Sequence, residues 1–251
     1  MPHAPLLSAL LPVAREAGAR IMDIHARGVA ARLKTDGSPV TEADDAAEAV
    51  ILPALDRLAP GITVISEENT ASHALAAPER FFLVDPLDGT KEFLKPDGKA
   101  FTVNIALVER GVPVAGVVFA PALNRMFWGA LGEGAWGDDG AGAHALRVRP
   151  VPEGGRVAVA SASHRDAATD NWLAAQGITR TVSIGSSLKF CLLAAAEADV
   201  YPRFGPTMEW DTAAGDAILR AAGGRVTTPD GTIFAYGKDG WLNGAFVAWG
   251  A

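Results

Sequence analysis

The chain has 251 residues, enough for one large domain or two compact halves that share an interface, and either can bury a real core. With 49% hydrophobic and 20% charged residues, and 27 glycines and 16 prolines spread without a collagen-like period, disorder is excluded and the chain reads as soluble and globular. Twenty-two Lys and Arg against 29 Asp and Glu give a net charge of −7, the wrong sign for gripping a nucleic-acid polymer, so any anionic ligand must be handled locally.

Leu6, Leu7, Leu10, Leu11, Ala14, Ala17 and Ile21 recur at helical spacing and predict an amphipathic first helix over residues 4–27. Pro12, Arg15, Glu16 and Arg20 interrupt its apolar stretch, so neither a signal segment nor a transmembrane span is expected there. Ala43, Ala46, Ala47, Val50, Ile51, Ala54, Leu55 and Leu58 predict a second helix, with Thr41 as N-cap and a kink at Pro53. Short β-type runs follow at 63–66, 81–84, 101–108 and 112–120, the last two joined as a hairpin around Glu109, Arg110 and Gly111. Helix followed by sheet gives an α+β first half. The prolines and glycines of 149–155 mark the linker, which divides the chain into halves 1–150 and 151–251. Beyond it, strands at 157–160, 181–184 and 200–201 alternate with helices at 167–176, 188–198 and after Asp211, an α/β pattern with helices packed on a sheet.

Trp128, Trp136, Trp172, Trp241 and Trp249 each lie in or beside an apolar run and read as core or interface residues rather than platforms for a base; Trp210, beside Asp211, is open to either role. The single cysteine, Cys191, excludes a disulfide framework and a cysteine-based zinc site and suits a reducing compartment, with the cytoplasm as default. It shares an apolar helix with Leu188, Leu192 and Ala195, which makes a buried, inert thiol the expectation.

Four polar segments carry the chemistry. The apolar run 81–84 leads into Asp85-Pro86-Leu87-Asp88-Gly89-Thr90. Two carboxylates and a Leu87 carbonyl left free by the proline break are the hard oxygens that magnesium prefers. Gly89 allows close backbone approach, and Thr90 is placed to cap a following helix whose N–H groups receive a phosphate. The bland alternative is a turn in which Asp-Pro and Asp-Gly only reverse the chain. Glu67 and Glu68 end the 63–66 run and can reach the same sheet edge, or form an ordinary solvated loop. Asp211 opens a helix rich in small residues, either as a ligand or as its N-cap. Finally, a polar turn from Lys34 leads to Asp44, three residues after Thr41, where it either closes a capping box or orients and deprotonates a water.

In order and spacing, these four segments resemble the lithium-sensitive, magnesium-dependent phosphatase superfamily that contains inositol monophosphatase and fructose bisphosphatase. The resemblance covers nearly the whole chain. It implies a layered αβαβα sandwich, two or three magnesium ions per site, and inhibition by lithium. Within that superfamily, Gly89-Thr90-Lys91-Glu92-Phe93, the 184–191 segment around Ser186 and Lys189, the 201–207 segment with Arg203, and Ser161 to His164 are similar to the 3′(2′),5′-bisphosphate nucleotidases of the bacterial CysQ type. Inositol monophosphatases usually carry asparagine where Glu92 stands. The subgroup implies hydrolysis of 3′-phosphoadenosine 5′-phosphate to AMP and phosphate, with the 5′-phosphosulfate as a further substrate, in sulfur assimilation or nucleotide recycling.

Carried over residue by residue, the resemblance makes Glu67, Asp85, Asp88, Asp211 and the Leu87 carbonyl the magnesium ligands, with Asp44 and Thr90 on the attacking water. Gly89 and Thr90 would receive the scissile phosphate beside Glu67, Leu87, Asp88 and Asp211. Ser186, Lys189 and Arg203, with His164 nearby, would hold the second phosphate. Without the resemblance, Lys189 reads as a solvated helix residue and Arg203 as a surface ion-pair partner. Lys91, Lys95 and Lys99 either steer an anionic substrate or form an ordinary solvated loop. The rivals are an inositol-phosphate or fructose 1,6-bisphosphate phosphatase, which would share the metal core, and a catalytically silent sensor of metal or nucleotide, against which the complete ligand set argues. The expected partner is a small phosphorylated nucleotide, bound by a monomer or homodimer. Some relatives associate with a membrane surface, yet no amphipathic basic helix supports that here.

Overall fold

The computed structural model describes residues 2–28, 31–33, 39–161 and 165–251. Helix α1 (Ala4–Arg27) matches the span its periodicity predicts. The short antiparallel strands β1 (Arg32–Leu33) and β2 (Pro39–Val40) then lead to α2 (Glu42–Leu58), which starts at Thr41 and runs through Pro53 as one element.

A seven-stranded sheet follows. Strand β3 (Thr63–Ser66) lies parallel to β4 (Arg80–Asp88), and the one-turn helix α3 (Thr90–Phe93) leads into β5 (Thr102–Glu109). Strands β6 (Val112–Ala120), β7 (Arg125–Ala130), β8 (Gly134–Asp138) and β9 (His144–Leu146) continue as an antiparallel meander in order β3-β4-β5-β6-β7-β8-β9. The β5–β6 turn falls at Arg110 and Gly111, both left-handed at φ 49° and 76°, as a tight hairpin requires. Strand β4 outruns the predicted 81–84. It pairs with β5 up to Asp85–Asn104, slips across Pro86 and Leu87, and resumes at Asp88–Thr102.

After the irregular stretch at 147–156 the chain forms β10 (Val157–Ser161), α4 (Ala167–Ala175), β11 (Arg180–Ile184), α5 (Leu188–Ala194) and β12 (Val200–Arg203). Next come β13 (Thr207–Met208), α6 (Ala213–Ala221), β14 (Arg225–Thr227), β15 (Leu242–Asn243) and β16 (Phe246–Trp249). The second sheet has the order β11-β10-β12-β16-β14; β10 is parallel to β11 and β12, while β16 is antiparallel to both its neighbours.

The layers follow from which side chains share a core. Phe82, Val84, Val103 and Ile105 pack with Leu10, Ile21 and Ile51 of α1 and α2. Their strand neighbours Phe81, Leu83 and Ala106 point to the other face, into a core with Phe190 of α5, Ile218 of α6 and Val159 and Phe246 of the second sheet. Ala158, Val200 and Val247 meet Leu173 of α4 on the far side. The result is an αβαβα sandwich in which α5 and α6 lie between the two sheets. Close approach of α6 depends on Gly116 in β6, where an added Cβ would sit 2.5 Å from the Ala214 carbonyl oxygen.

Helix α5 ends at Ala194, short of the predicted 198. Ala196 turns left-handed (φ 60°), and the amides of Ala196 and Glu197 cap the Leu193 and Leu192 carbonyls at 3.1 and 2.9 Å. Cys191 is fully buried there, and burial pushes its thiol pKa far up, which agrees with an inert thiol. Trp241 is in the core, Trp128, Trp172 and Trp249 pack partly buried against cores, and Trp128 stacks on Trp136. Among the described residues no helix is long and apolar enough to cross a membrane.

Candidate active site

Because β3 and β4 run parallel, their carboxyl ends place Glu67 and the Asp85–Asp88 turn at one sheet edge; the Glu67 amide extends the ladder to the Val84 carbonyl at 3.1 Å. Asp85 is buried and its Oδ1 accepts the Leu87 amide at 3.0 Å. Leu87 anchors the turn by burying its side chain in the α1/α2 core, while its carbonyl accepts the Thr90 hydroxyl at 3.3 Å. The expectation that Thr90 caps the next helix is corrected. Gly89, left-handed at φ 92°, is the N-cap of α3, and Thr90 is the first helical residue with its hydroxyl turned back.

Asp211 arrives from the opposite side. Its Oδ2 accepts the Met208 amide at 2.8 Å, and α6 begins at Ala213 with Thr212 as its N-cap. Asp211 therefore caps no helix. Instead, oxygens of Glu67, Asp85 and Asp211 lie within 4.8 Å of one another. Burial, together with the charges of Glu67, Asp88 and Asp211, holds the Asp85 carboxyl well above the usual carboxylate range, and Asp211 is raised by burial, Asp88 and Glu67. Three hard oxygen donors that repel one another in the absence of a cation are a donor set that fits a divalent ion. Asp88 is raised by burial but eased by Lys189 and by Ser187, whose amide and hydroxyl donate to its Oδ2 at 2.6 and 2.9 Å.

The carboxylates line a cavity of about 480 Å³ with Gly89, Thr90, Ser186, Lys189 and Arg203. Lys189 is neither solvated nor ion-paired at the surface: it is 6% exposed, its Nζ donates to the Ser186 carbonyl at 2.5 Å and lies 5.3 Å from the Tyr201 ring. Burial and the nearby Arg203 lower its pKa to about 8, against the pull of Asp88 and Glu92. Arg203, 8% exposed, is held by the Gly205 and Pro206 carbonyls at 3.1 and 2.9 Å. Ser186 precedes α5 in a left-handed conformation (φ 53°). Of the three loop lysines only Lys91 lines the cavity; Lys95 pairs with Glu92 at 3.7 Å.

Asp44 is buried at the first turn of α2, where its Oδ2 accepts from the Thr41 amide and hydroxyl, both at 2.8 Å. The capping box is thus formed, and Asp44 is not among the residues that line the cavity. The predicted polar turn at 34–38 and His164 lie outside the described residues.

A sequence model of the Inositol monophosphatase family matches residues 3–249. The chain belongs to the inositol monophosphatase family. The 3′(2′),5′-bisphosphate nucleotidase CysQ of Salmonella typhimurium is 45% identical over 245 residues, covering 96% of this chain and 98% of that protein. The crystal structure of CysQ from Bacteroides thetaiotaomicron superimposes with a TM-score of 0.83 at 35% identity, over 98% of this chain and 97% of that one. Inositol monophosphatase from Anabaena gives 0.79 at 26% identity, over 99% and 91%.

This member of the inositol monophosphatase family has site residues that sequence reasoning passed over. Ser187 links β4, β5 and the segment before α6: its hydroxyl lies 2.5 Å from the Asp211 carbonyl as well as against Asp88, and the Asn104 amide donates to it at 2.9 Å. Its signal was only adjacency to Ser186. Glu92, quoted for the subgroup but given no role, lies in the cavity wall and packs so tightly that a Cβ on Gly185 would come within 2.8 Å of its Cγ. Ser187→Ala removes the hydroxyl's contacts with Asp88, Asn104 and the Asp211 carbonyl and leaves the amide contact to Asp88, so activity should fall by at least about tenfold, the equivalent of a charged-acceptor hydrogen bond of about 1.5 kcal/mol. Steady-state kinetics beside a thermal melt checks this: a loss of fold would show in the melt.

Proposed function

We propose that this chain is a magnesium-dependent 3′(2′),5′-bisphosphate nucleotidase that hydrolyses the 3′-phosphate of 3′-phosphoadenosine 5′-phosphate to AMP and phosphate, with the 5′-phosphosulfate as a second substrate. One observation carries the reading: a cluster of three carboxylates shares a single cavity with two buried cations, which gives one place for a metal-bound phosphate and another for a second phosphate. The 45% identity to the Salmonella nucleotidase supports this over an inositol or fructose phosphatase.

Glu67, Asp85, Asp88, Asp211 and the Leu87 carbonyl would hold two or three magnesium ions. Bound magnesium supplies Lewis-acid stabilisation of the phosphoryl oxygens and a water of lowered pKa. The remaining work falls to the chain. The Thr90 hydroxyl holds the attacking water and passes its proton toward Asp44, the carboxylate at the start of α2. The backbone of Gly89 and Thr90 receives the scissile phosphate, and in-line attack by water needs no covalent enzyme intermediate. Lys189, Arg203 and Ser186, with His164, bind the 5′-phosphate; arginine offers two parallel donors and the lysine a point charge. Two like charges buried close together disfavour each other, and a phosphate between them relieves that cost.

On this reading residues 1–150 form the metal-binding half and 151–251 the substrate-binding half, with Asp211 reaching across. The enzyme works in the cytoplasm as a monomer or homodimer on a small nucleotide. Lithium should compete for a magnesium position, so millimolar lithium is expected to slow turnover; undiminished rates would count against the mechanism. The decisive experiment is phosphate release from 3′-phosphoadenosine 5′-phosphate with magnesium and with a chelator. Release that depends on magnesium is expected, and release that survives complete chelation would refute the proposal.

A further inference from the structure

Glu67 and Asp211 reach the cavity from separate parts of the fold, one after the edge strand β3 and the other before α6. Their carboxylate oxygens lie within 4.8 Å of each other, so like charges face one another at short range and the surrounding chain must enforce their approach. One side chain touches both arms. His73 lies in the short 3-10 turn Thr70–Ala74, six residues after Glu67 in the chain. Its Nε2 is 2.8 Å from the carbonyl oxygen of Ser66, the residue before Glu67. A carbonyl only accepts, so Nε2 carries the proton and donates. The same ring stacks on buried Trp210, the residue before Asp211, with centroids 4.7 Å apart and planes 24° from parallel. Trp241 repeats the link: the His73 carbonyl accepts its Nε1 at 3.1 Å, and its own carbonyl accepts the Glu209 amide at 2.8 Å.

We infer that His73 is a positioning residue that fixes the separation of Glu67 and Asp211 and so sets the affinity of the site for its divalent cation. The inference rests on the reading of these carboxylates as metal ligands. Its hydrogen bond holds the Glu67 arm and its ring holds the Asp211 arm; the imidazole itself stays outside the cavity lining and touches no reacting atom. Removing either link lets the arms relax apart under their mutual repulsion, and a site that has to be drawn together by the ion binds it more weakly.

The test is calorimetric titration of the metal-free protein with magnesium alone, followed by the magnesium dependence of turnover. His73→Phe keeps a ring for the stack and loses the donor, while His73→Gln keeps an N–H donor and loses the stack. Each should weaken magnesium binding by about tenfold, the lower end of what loss of a ligand-orienting group costs. At saturating magnesium, kcat and KM for the substrate should return close to wild type. Unchanged magnesium affinity in both variants, or a kcat deficit that saturating magnesium does not restore, would overturn the inference. If one variant does not fold, the other decides. Because the titration needs no substrate, a wild type that binds magnesium yet hydrolyses no bisphosphate nucleotide would sink the nucleotidase reading and leave the His73 comparison standing.

Discussion

Replacing Asp85 with asparagine should abolish phosphate release while making the metal-free protein more stable. Metal stabilisation of transition-state charge is worth several kcal/mol, and loss of about 4 kcal/mol lowers the rate by about a thousandfold. The gain in stability has the same origin. Burial, Glu67, Asp88 and Asp211 raise the Asp85 pKa, so the folded protein binds its proton more tightly than the unfolded chain does. Metal-free stability therefore falls as pH rises from the ordinary aspartate range through the raised value. Asparagine removes the charge and relieves that loss. A gain of about 1 kcal/mol moves the melting temperature of a domain of this size up by about 2–4 °C. Magnesium should raise the melting temperature of the wild type and do little for Asp85→Asn. A variant that melts lower than the wild type without metal would show that Asp85 is a structural hydrogen-bond acceptor first.

Lys189→Met should act on affinity rather than on chemistry. A hydrogen bond from a buried cation to phosphate is worth about 1.5–3 kcal/mol, so KM for the bisphosphate should rise by about 10–150-fold with a smaller change in kcat. A monophosphate substrate that lacks the 5′-phosphate should be affected much less. The pH dependence gives a second signature. The Lys189 pKa is lowered to about 8, chiefly by burial, so the ammonium is present below that pH and lost above it. Magnesium on Asp88 and Asp211 would remove two charges that favour the ammonium, so the wild-type KM should begin to climb no later than pH about 8. The climb should be absent in Lys189→Met. Equal loss of kcat on bisphosphate and monophosphate would place Lys189 in the chemistry instead.

Glu67 and Asp85 were legible because each ends an apolar run, and those runs become the parallel pair β3 and β4. Helix α1 was legible from the helical spacing of its apolar residues. Strands β7 and β8 were not, because Gly129 and Gly137 break the alternation that marks a strand, and β9, three residues long, is too short to show one. Those glycines are set by packing, since a Cβ at Gly129 would lie 3.0 Å from Ala221 of α6 and one at Gly137 would lie 3.1 Å from Leu146. The end of α5 escaped notice because Ala196, not glycine, takes the left-handed position. Lys189 is a buried cation in the cavity wall only because the helix carrying it lies between two sheets, a tertiary fact that composition does not express. Ser187 and His73 matter through partners far along the chain, Asp88 and Trp210, and no local pattern signals such contacts.

The most direct measurement is the ratio of kcat/KM for 3′-phosphoadenosine 5′-phosphate to that for inositol 1-phosphate, taken in the same magnesium buffer. A cavity that pairs a carboxylate cluster with buried Lys189 and Arg203 predicts strong preference for the bisphosphate nucleotide, by about a hundredfold if the second phosphate contributes about 3 kcal/mol. Equal ratios, or a preference for inositol 1-phosphate, would contradict the assignment of the two cations to a second phosphate.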